Sequence, residues 1–147
     1  MKLRSMSNIS TKRPLQVPHH KQEQNNSCLP ACVRMVMAFH GAEKSVMEIR
    51  RLLKTKPGRT NPLNVTHLRE WNFEATVSFS NLDELQNHLF QEQPAIALPW
   101  SGELSYWDSA VYLDFLHAVV IIGYDAENIL INDPAPSILK RLSLVSF

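Results

Sequence analysis

Apolar positions recur at helical spacing in the first half of the chain and at strand spacing, or in unbroken runs, in the second. After a polar, loop-favouring stretch at 22–26, Val33, Met35, Val36 and Phe39 mark one face of a helix that opens at Cys28. Gly41, free to adopt positive φ, is a natural stop for it. Ser27 is an N-cap residue type, and Pro30 falls in the first turn, where its missing N–H costs nothing. A second helix follows, with Ser45 and Glu48 at capping-box spacing and Val46, Ile49, Leu52 and Leu53 as its buried stripe. Turn-forming residues at 56–62 separate it from a short third helix over 65–71 that starts near Asn64. Alternation over 73–79 predicts a strand. Asn81 then opens a helix with Leu82, Leu85 and Leu89 at its apolar positions.

The second half reads differently. The short run 95–98, stopped by Pro99, predicts a strand, and a long irregular loop occupies 100–115. Its aromatics Trp100, Tyr106, Trp107, Tyr112 and Phe115 either wall a peptide groove or tuck the loop against the domain. Residues 116–124 are nearly all apolar, the mark of a central strand, and 128–132 pairs with it after a turn containing Asp125. A last strand is expected over 138–145. Helices gathered before strands predict an α+β domain, N-terminal helices packed on an antiparallel sheet.

Composition narrows the functional classes. At 147 residues the chain is expected to be one domain, 1–147, large enough for a core without disulfides or a structural metal. Fifteen basic residues against fourteen acidic ones leave a formal charge of +1, which gives no footprint for nucleic acid or an anionic membrane. Residues 1–14 form a mildly basic mobile arm, through Lys2, Arg4, Lys12 and Arg13, until Val17-Pro18 docks on the domain. The arm lacks the apolar core of a signal peptide, and the longest apolar run, 118–122, is too short to cross a bilayer. A soluble, cytoplasmic protein with no membrane span is the expectation.

Cysteine usage points the same way. Cys28 and Cys32 share one helical turn, a spacing that makes a poor disulfide framework, so both thiols are expected to be reduced. A thiol in the first turn of a helix loses its proton more readily, because unpaired N–H groups and the positive dipole end stabilise an anion there. That makes Cys28 a candidate nucleophile. Cys32, one turn inside, reads as a small core residue.

Acyl transfer by a thiol also needs a base, a group to orient the base, and donors for the oxyanion. His117 opens the central strand and Asp133 ends the next. If the turn between them is centred near Ala126, the two side chains are diagonal neighbours on one sheet face; half a residue of shift puts them on opposite faces. Gln22, on the loop feeding the helix, is a candidate oxyanion donor together with the Cys28 N–H, and Gln24 competes with it. Blander readings stand beside these: a satisfied core histidine for His117 and an Asp-Pro turn for Asp133 and Pro134. His19, His20, His40, His67 and His88 read as surface or packing residues. Cys28 and Cys32 with His40 or His117 match no common zinc spacing, so no metal or cofactor is expected.

The run Val17-Pro18-His19-His20-Lys21-Gln22, then Cys28-Leu29-Pro30-Ala31, then His117 followed by an apolar strand ending in Gly123-Tyr124, and finally Asn132-Asp133-Pro134, resembles the bacteriocin-processing peptidase family. Those are papain-like cysteine peptidases, often fused to peptide exporters, that remove leader peptides after a double glycine. The resemblance covers residues 17–134. It implies a papain-like fold and a cysteine endopeptidase of peptide or protein substrates, with Cys28 as nucleophile, His117 as base and acid, Asp133 as its orienter and Gln22 as oxyanion donor. A peptide exporter is the partner it implies. Leu29 stands where the family usually has glycine directly after the nucleophile, which keeps open an inactive, papain-like peptide-binding module. A Cys-His-Asp order also serves acyltransferases and isopeptidases.

Overall fold

The computed structural model describes residues 13–24, 27–99, 104, 116–135 and 139–143. In chain order these form α1 (Cys28–Phe39), α2 (Val46–Leu52), a 3-10 segment (Pro62–Trp71), α3 (Leu82–Phe90), and the strands β1 (Ala95–Ala97), β2 (Val119–Tyr124), β3 (Asn128–Asn132) and β4 (Leu139–Ser143). The strands make one antiparallel sheet in the order β1-β2-β3-β4. The architecture is the expected α+β arrangement, helices first and sheet second.

Local rules explain the helices. Both halves of the α2 capping box form: the Ser45 hydroxyl accepts from the Glu48 N–H at 3.2 Å, and the Glu48 carboxylate accepts from the Ser45 N–H at 2.8 Å. Gly41, at φ +81°, follows the end of α1 as its type suggests. The third helix differs from expectation. It starts earlier, at Pro62 behind an Asn61 cap, winds as a 3-10 helix, and ends where Asn72 turns left-handed at φ 63°. The alternating run 73–79 forms no strand; Phe73 and Ala75 pack half-buried against the core while Val77 and Phe79 face solvent. Of the expected loop 100–115, only Leu104 is described, and it is buried. Trp100, Tyr106, Trp107, Tyr112 and Phe115 lie outside the described residues, as does the arm up to residue 12.

The sheet is covered on both faces. Ala118, Val120 and Ile122 of β2 and its entry join Leu130 in a core with Cys32, Val33, Met35 and Met37 of α1, Ile49 of α2 and Leu68 of the 3-10 segment. Val119 and Ile121 face the other way, with Ile129 and Ile131, against Leu85 and Leu89 of α3 and Leu104. Double coverage is why this stretch reads as an unbroken apolar run instead of an alternating one. Among the described residues no helix is long and apolar enough to cross a membrane.

The hairpin of β2 and β3 changes register part-way along. Val120 pairs with Asn132 and Ile121 with Ile131, placing the hairpin midpoint at residue 126; beyond them Gly123 pairs with Leu130 and Tyr124 with Ile129, placing it at 126.5. Ile122 is the extra residue of a β-bulge between the two registers. Its carbonyl accepts the Leu15 N–H at 2.8 Å, so the segment entering the domain is tied down at the bulge. Gly123 makes room for that segment: a Cβ there would stand 3.2 Å from the Pro14 Cα.

Candidate active site

Cys28 is the first residue of α1 and is partly exposed. Ser27 occupies the N-cap position, yet its hydroxyl caps no helix N–H and instead accepts from the Arg50 guanidinium of α2. The expected side-chain cap is therefore absent. The Leu29 N–H reaches the sulfur from the helix and the Ala118 N–H from the sheet. Leu29 itself turns its side chain into the core, where it is 5 % exposed.

On the sheet side, Asp133 Oδ1 accepts from His117 Nε2 at 2.7 Å, with both residues buried. The same oxygen accepts the Ala135 N–H at 2.8 Å, and the His117 N–H donates to the Pro99 carbonyl at 2.9 Å. These bonds hold the pair from two directions. With Nε2 engaged, Nδ1 is the nitrogen left for the Cys28 sulfur, which the ring also hydrogen-bonds. The bulge is what permits the meeting. Continuing the register of Val120 and Asn132 places Val119 opposite Asp133 and makes His117 its diagonal neighbour on one face; the register near the turn would set them on opposite faces.

Electrostatics follow from this packing. Burial pushes the Cys28 thiol up, but the hydrogen bond from His117, the Ala118 N–H, the charge of His117 and the Leu29 N–H outweigh it and leave the thiol below its ordinary value. Burial likewise disfavours a charged His117, yet the bond and charge of Asp133, with those of Cys28, raise its pKa to about 9. Both shifts favour a thiolate and imidazolium pair at neutral pH. Cys32 is fully buried and its thiol is held well above the ordinary value, by burial first and by the charges of Cys28 and Asp133 next. It stays protonated, a small core residue as expected.

Gln22 sits on the loop before α1. Its Nε2 donates to the Gln24 carbonyl at 2.9 Å, the same carbonyl that accepts the Ser27 N–H at 3.1 Å. The amide is thereby fixed while its second N–H stays free of that bond. Its Oε1 is buried without a hydrogen-bond partner among the described residues, whereas Gln24 is exposed. Of the histidines read as surface or packing residues, His19 has a more definite place: its Nε2 donates to the Asp133 carbonyl at 2.6 Å. Only its position in the Val17-Pro18-His19-His20 run hinted at this. Among the described residues no group of three His, Cys, Asp or Glu side chains is arranged to hold a metal ion.

A family model described as the Peptidase_C39-like family matches residues 14–141. Among solved structures, a double glycine motif protease from an AMS/PCAT transporter, in complex with the leader peptide, matches with a TM-score of 0.70 and 22 % identity, covering 94 % of this chain and 87 % of that one. The peptidase domain of Streptococcus ComA, a bi-functional ABC transporter involved in quorum sensing, matches with a TM-score of 0.67 and 24 % identity over 88 % of each chain. No curated protein matches. The fold these structures share is papain-like.

Proposed function

Because the chain belongs to the Peptidase_C39-like family, we propose that it is a cysteine endopeptidase of peptide or protein substrates in which Cys28 is the nucleophile. His117 serves as base and acid, Asp133 orients it, and Gln22 and the Cys28 N–H bind the oxyanion. The observation that carries this reading is the buried 2.7 Å bond from His117 to Asp133, with the Cys28 thiol against the same ring.

In the proposed reaction the Cys28 thiolate attacks the scissile carbonyl. The second N–H of the fixed Gln22 amide and the Cys28 N–H stabilise the developing charge. The His117 imidazolium gives its proton to the leaving amine, and the thioester is then hydrolysed by a water that His117 deprotonates. No step draws on a metal or cofactor. Leader peptides are the substrate class to test first, since one similar structure holds a leader peptide. On this reading the protein is a single domain working in the cytoplasm, where thiols stay reduced, with a peptide exporter as its partner.

The test combines two readouts on the whole chain. Wild-type protein should alkylate at Cys28 with iodoacetamide near pH 6 much faster than free cysteine, and should hydrolyse a fluorogenic peptide. Cys28→Ser should lower that hydrolysis by about 10⁴-fold or more. Slow alkylation together with tight binding of an uncut leader peptide would instead assign a peptide-binding module. Fast alkylation with transfer of the acyl group to an added amine would assign a transferase.

A further inference from the structure

The ladder of β3 ends at Asn132, which pairs with Val120 on one side and Leu139 on the other. Asp133 lies one residue beyond it. The next hydrogen bonds come from the entering segment 14–22, which holds three consecutive residues in turn. The Asn132 side-chain amide donates to the Val17 carbonyl at 3.0 Å, His19 Nε2 donates to the Asp133 carbonyl at 2.6 Å, and the Gln22 N–H donates to the Pro134 carbonyl at 2.8 Å. The Leu15 N–H on the Ile122 carbonyl anchors the start of the segment. One strap thus grips the end of β3 and also carries Gln22.

We infer that His19 is a positioning residue: by donating to the Asp133 carbonyl it fixes the carboxylate that orients His117 and sets its distance from Gln22. This rests on the proposed peptidase function. A carbonyl only accepts, so Nε2 of His19 carries a proton in every state that makes the bond. Because the donor is a side chain, a single substitution removes the bond and leaves the strap's main chain intact. Without it the turn at 133–135 relaxes, the bond from His117 to Asp133 lengthens, and the imidazolium loses its partner. A displacement near 1 Å in such a constellation is enough for a large rate effect. The charged and titratable groups around the pair are known. His20 lies beside His19, with Arg34 and Glu43 beyond it, while Cys28 and Asp133 face His117, and Cys32 faces Asp133.

Three variants of the full chain test it: His19→Phe, which removes the donor; His19→Asn, which keeps an amide too short to reach; and His19→Gln, whose amide can restore the bond. Hydrolysis of the fluorogenic peptide is measured against pH, with Cys28 alkylation alongside. His19→Phe and His19→Asn should lower kcat by about 10- to 100-fold with little change in KM. Their alkaline limbs should move to lower pH, and His19→Gln should recover most of both. If His19→Phe does not fold, His19→Asn and His19→Gln decide the matter between them. Wild-type kcat and pH profile in the variants that fold, or a His19→Gln as impaired as His19→Asn, would overturn the inference alone. A wild-type chain without an activated thiol would overturn it together with the peptidase reading.

Discussion

The two sides of the site are built by different means. The sulfur side is local: a helix begins, its first amides are free of a side-chain cap, and the residue at that point is a cysteine. The imidazole and carboxylate side is assembled from two residues 16 apart on a hairpin whose register changes part-way, with a strap from 114 residues earlier holding its end. The placement of the sulfur should therefore tolerate change in its surroundings, and the placement of the imidazole and carboxylate should not.

His117→Ala should have the largest effect. It removes the ring that joins the two sides, bonded to Asp133 on one hand and to the Cys28 sulfur on the other. Peptide hydrolysis should drop to the level of Cys28→Ser, and Cys28 should alkylate no faster than free cysteine, since His117 supplies the first of the bonds that lower the thiol. Amide exchange of β2 and β3 checks that the hairpin survives. Fast alkylation in this variant would mean that the helix start activates the sulfur by itself.

This difference also decides what the sequence could tell. Cys28 at a helix start, the Ser45 and Glu48 box, and the strand Asn128–Asn132 were legible because each depends on residues close in the chain. The face shared by His117 and Asp133 hung on half a residue of register, and no local pattern announces a bulge at Ile122. The alternation at 73–79 predicted a strand because period two reports which side chains a sheet would bury; it does not report whether a free edge is available. None was taken there, and Phe79 stands fully exposed. Ser27 matched the residue type of a cap, but the arrival of Arg50 from α2 redirected its hydroxyl. His19 looked like a surface histidine because its partner, Asp133, lies 114 residues away.

Asp133→Asn sharpens the comparison without disturbing shape. An amide oxygen still accepts from His117 Nε2, but the negative charge is gone. The wild-type rate should be bell-shaped: the acid limb is the loss of the Cys28 thiolate, below the ordinary thiol value, and the alkaline limb is the loss of the His117 proton, near about 9. Asp133→Asn should move the alkaline limb down by roughly one to three units, with a matching loss of rate at neutral pH. Stability gives an independent check. The raised His117 pKa stabilises the fold fully below 6.5 and loses that contribution as pH rises toward about 9. In the wild type the lowered Cys28 pKa gives the opposite slope, so the urea midpoints are taken in Cys28→Ser: they should fall with pH across this window, and much less once Asp133→Asn is added.

Gly123→Ala probes the strap from below. The added Cβ would stand 3.2 Å from the Pro14 Cα and 3.4 Å from its Cβ, a main-chain contact that cannot turn aside like a flexible side chain. Overpacking of this kind costs about 1–3 kcal/mol. The strap is the element displaced, so kcat should fall with the urea midpoint. Unchanged stability and rate would show that the strap shifts freely at Pro14 and that its grip begins only at Leu15.

The smallest effect is expected at Ser45→Ala, on the sulfur side. Losing the α2 cap should cost about 1 kcal/mol of stability. Helix α2 supports the start of α1 through Arg50 and Ser27, so a frayed α2 reaches the neighbourhood of Cys28. The groups that lower the thiol are His117, the Ala118 N–H and the Leu29 N–H, and none of them belongs to α2. The urea midpoint should therefore move while the pH dependence of Cys28 alkylation stays where it was. If the alkylation profile shifts with the cap, the sulfur side depends on its distant neighbours as much as the hairpin does, and the contrast between the two sides is gone.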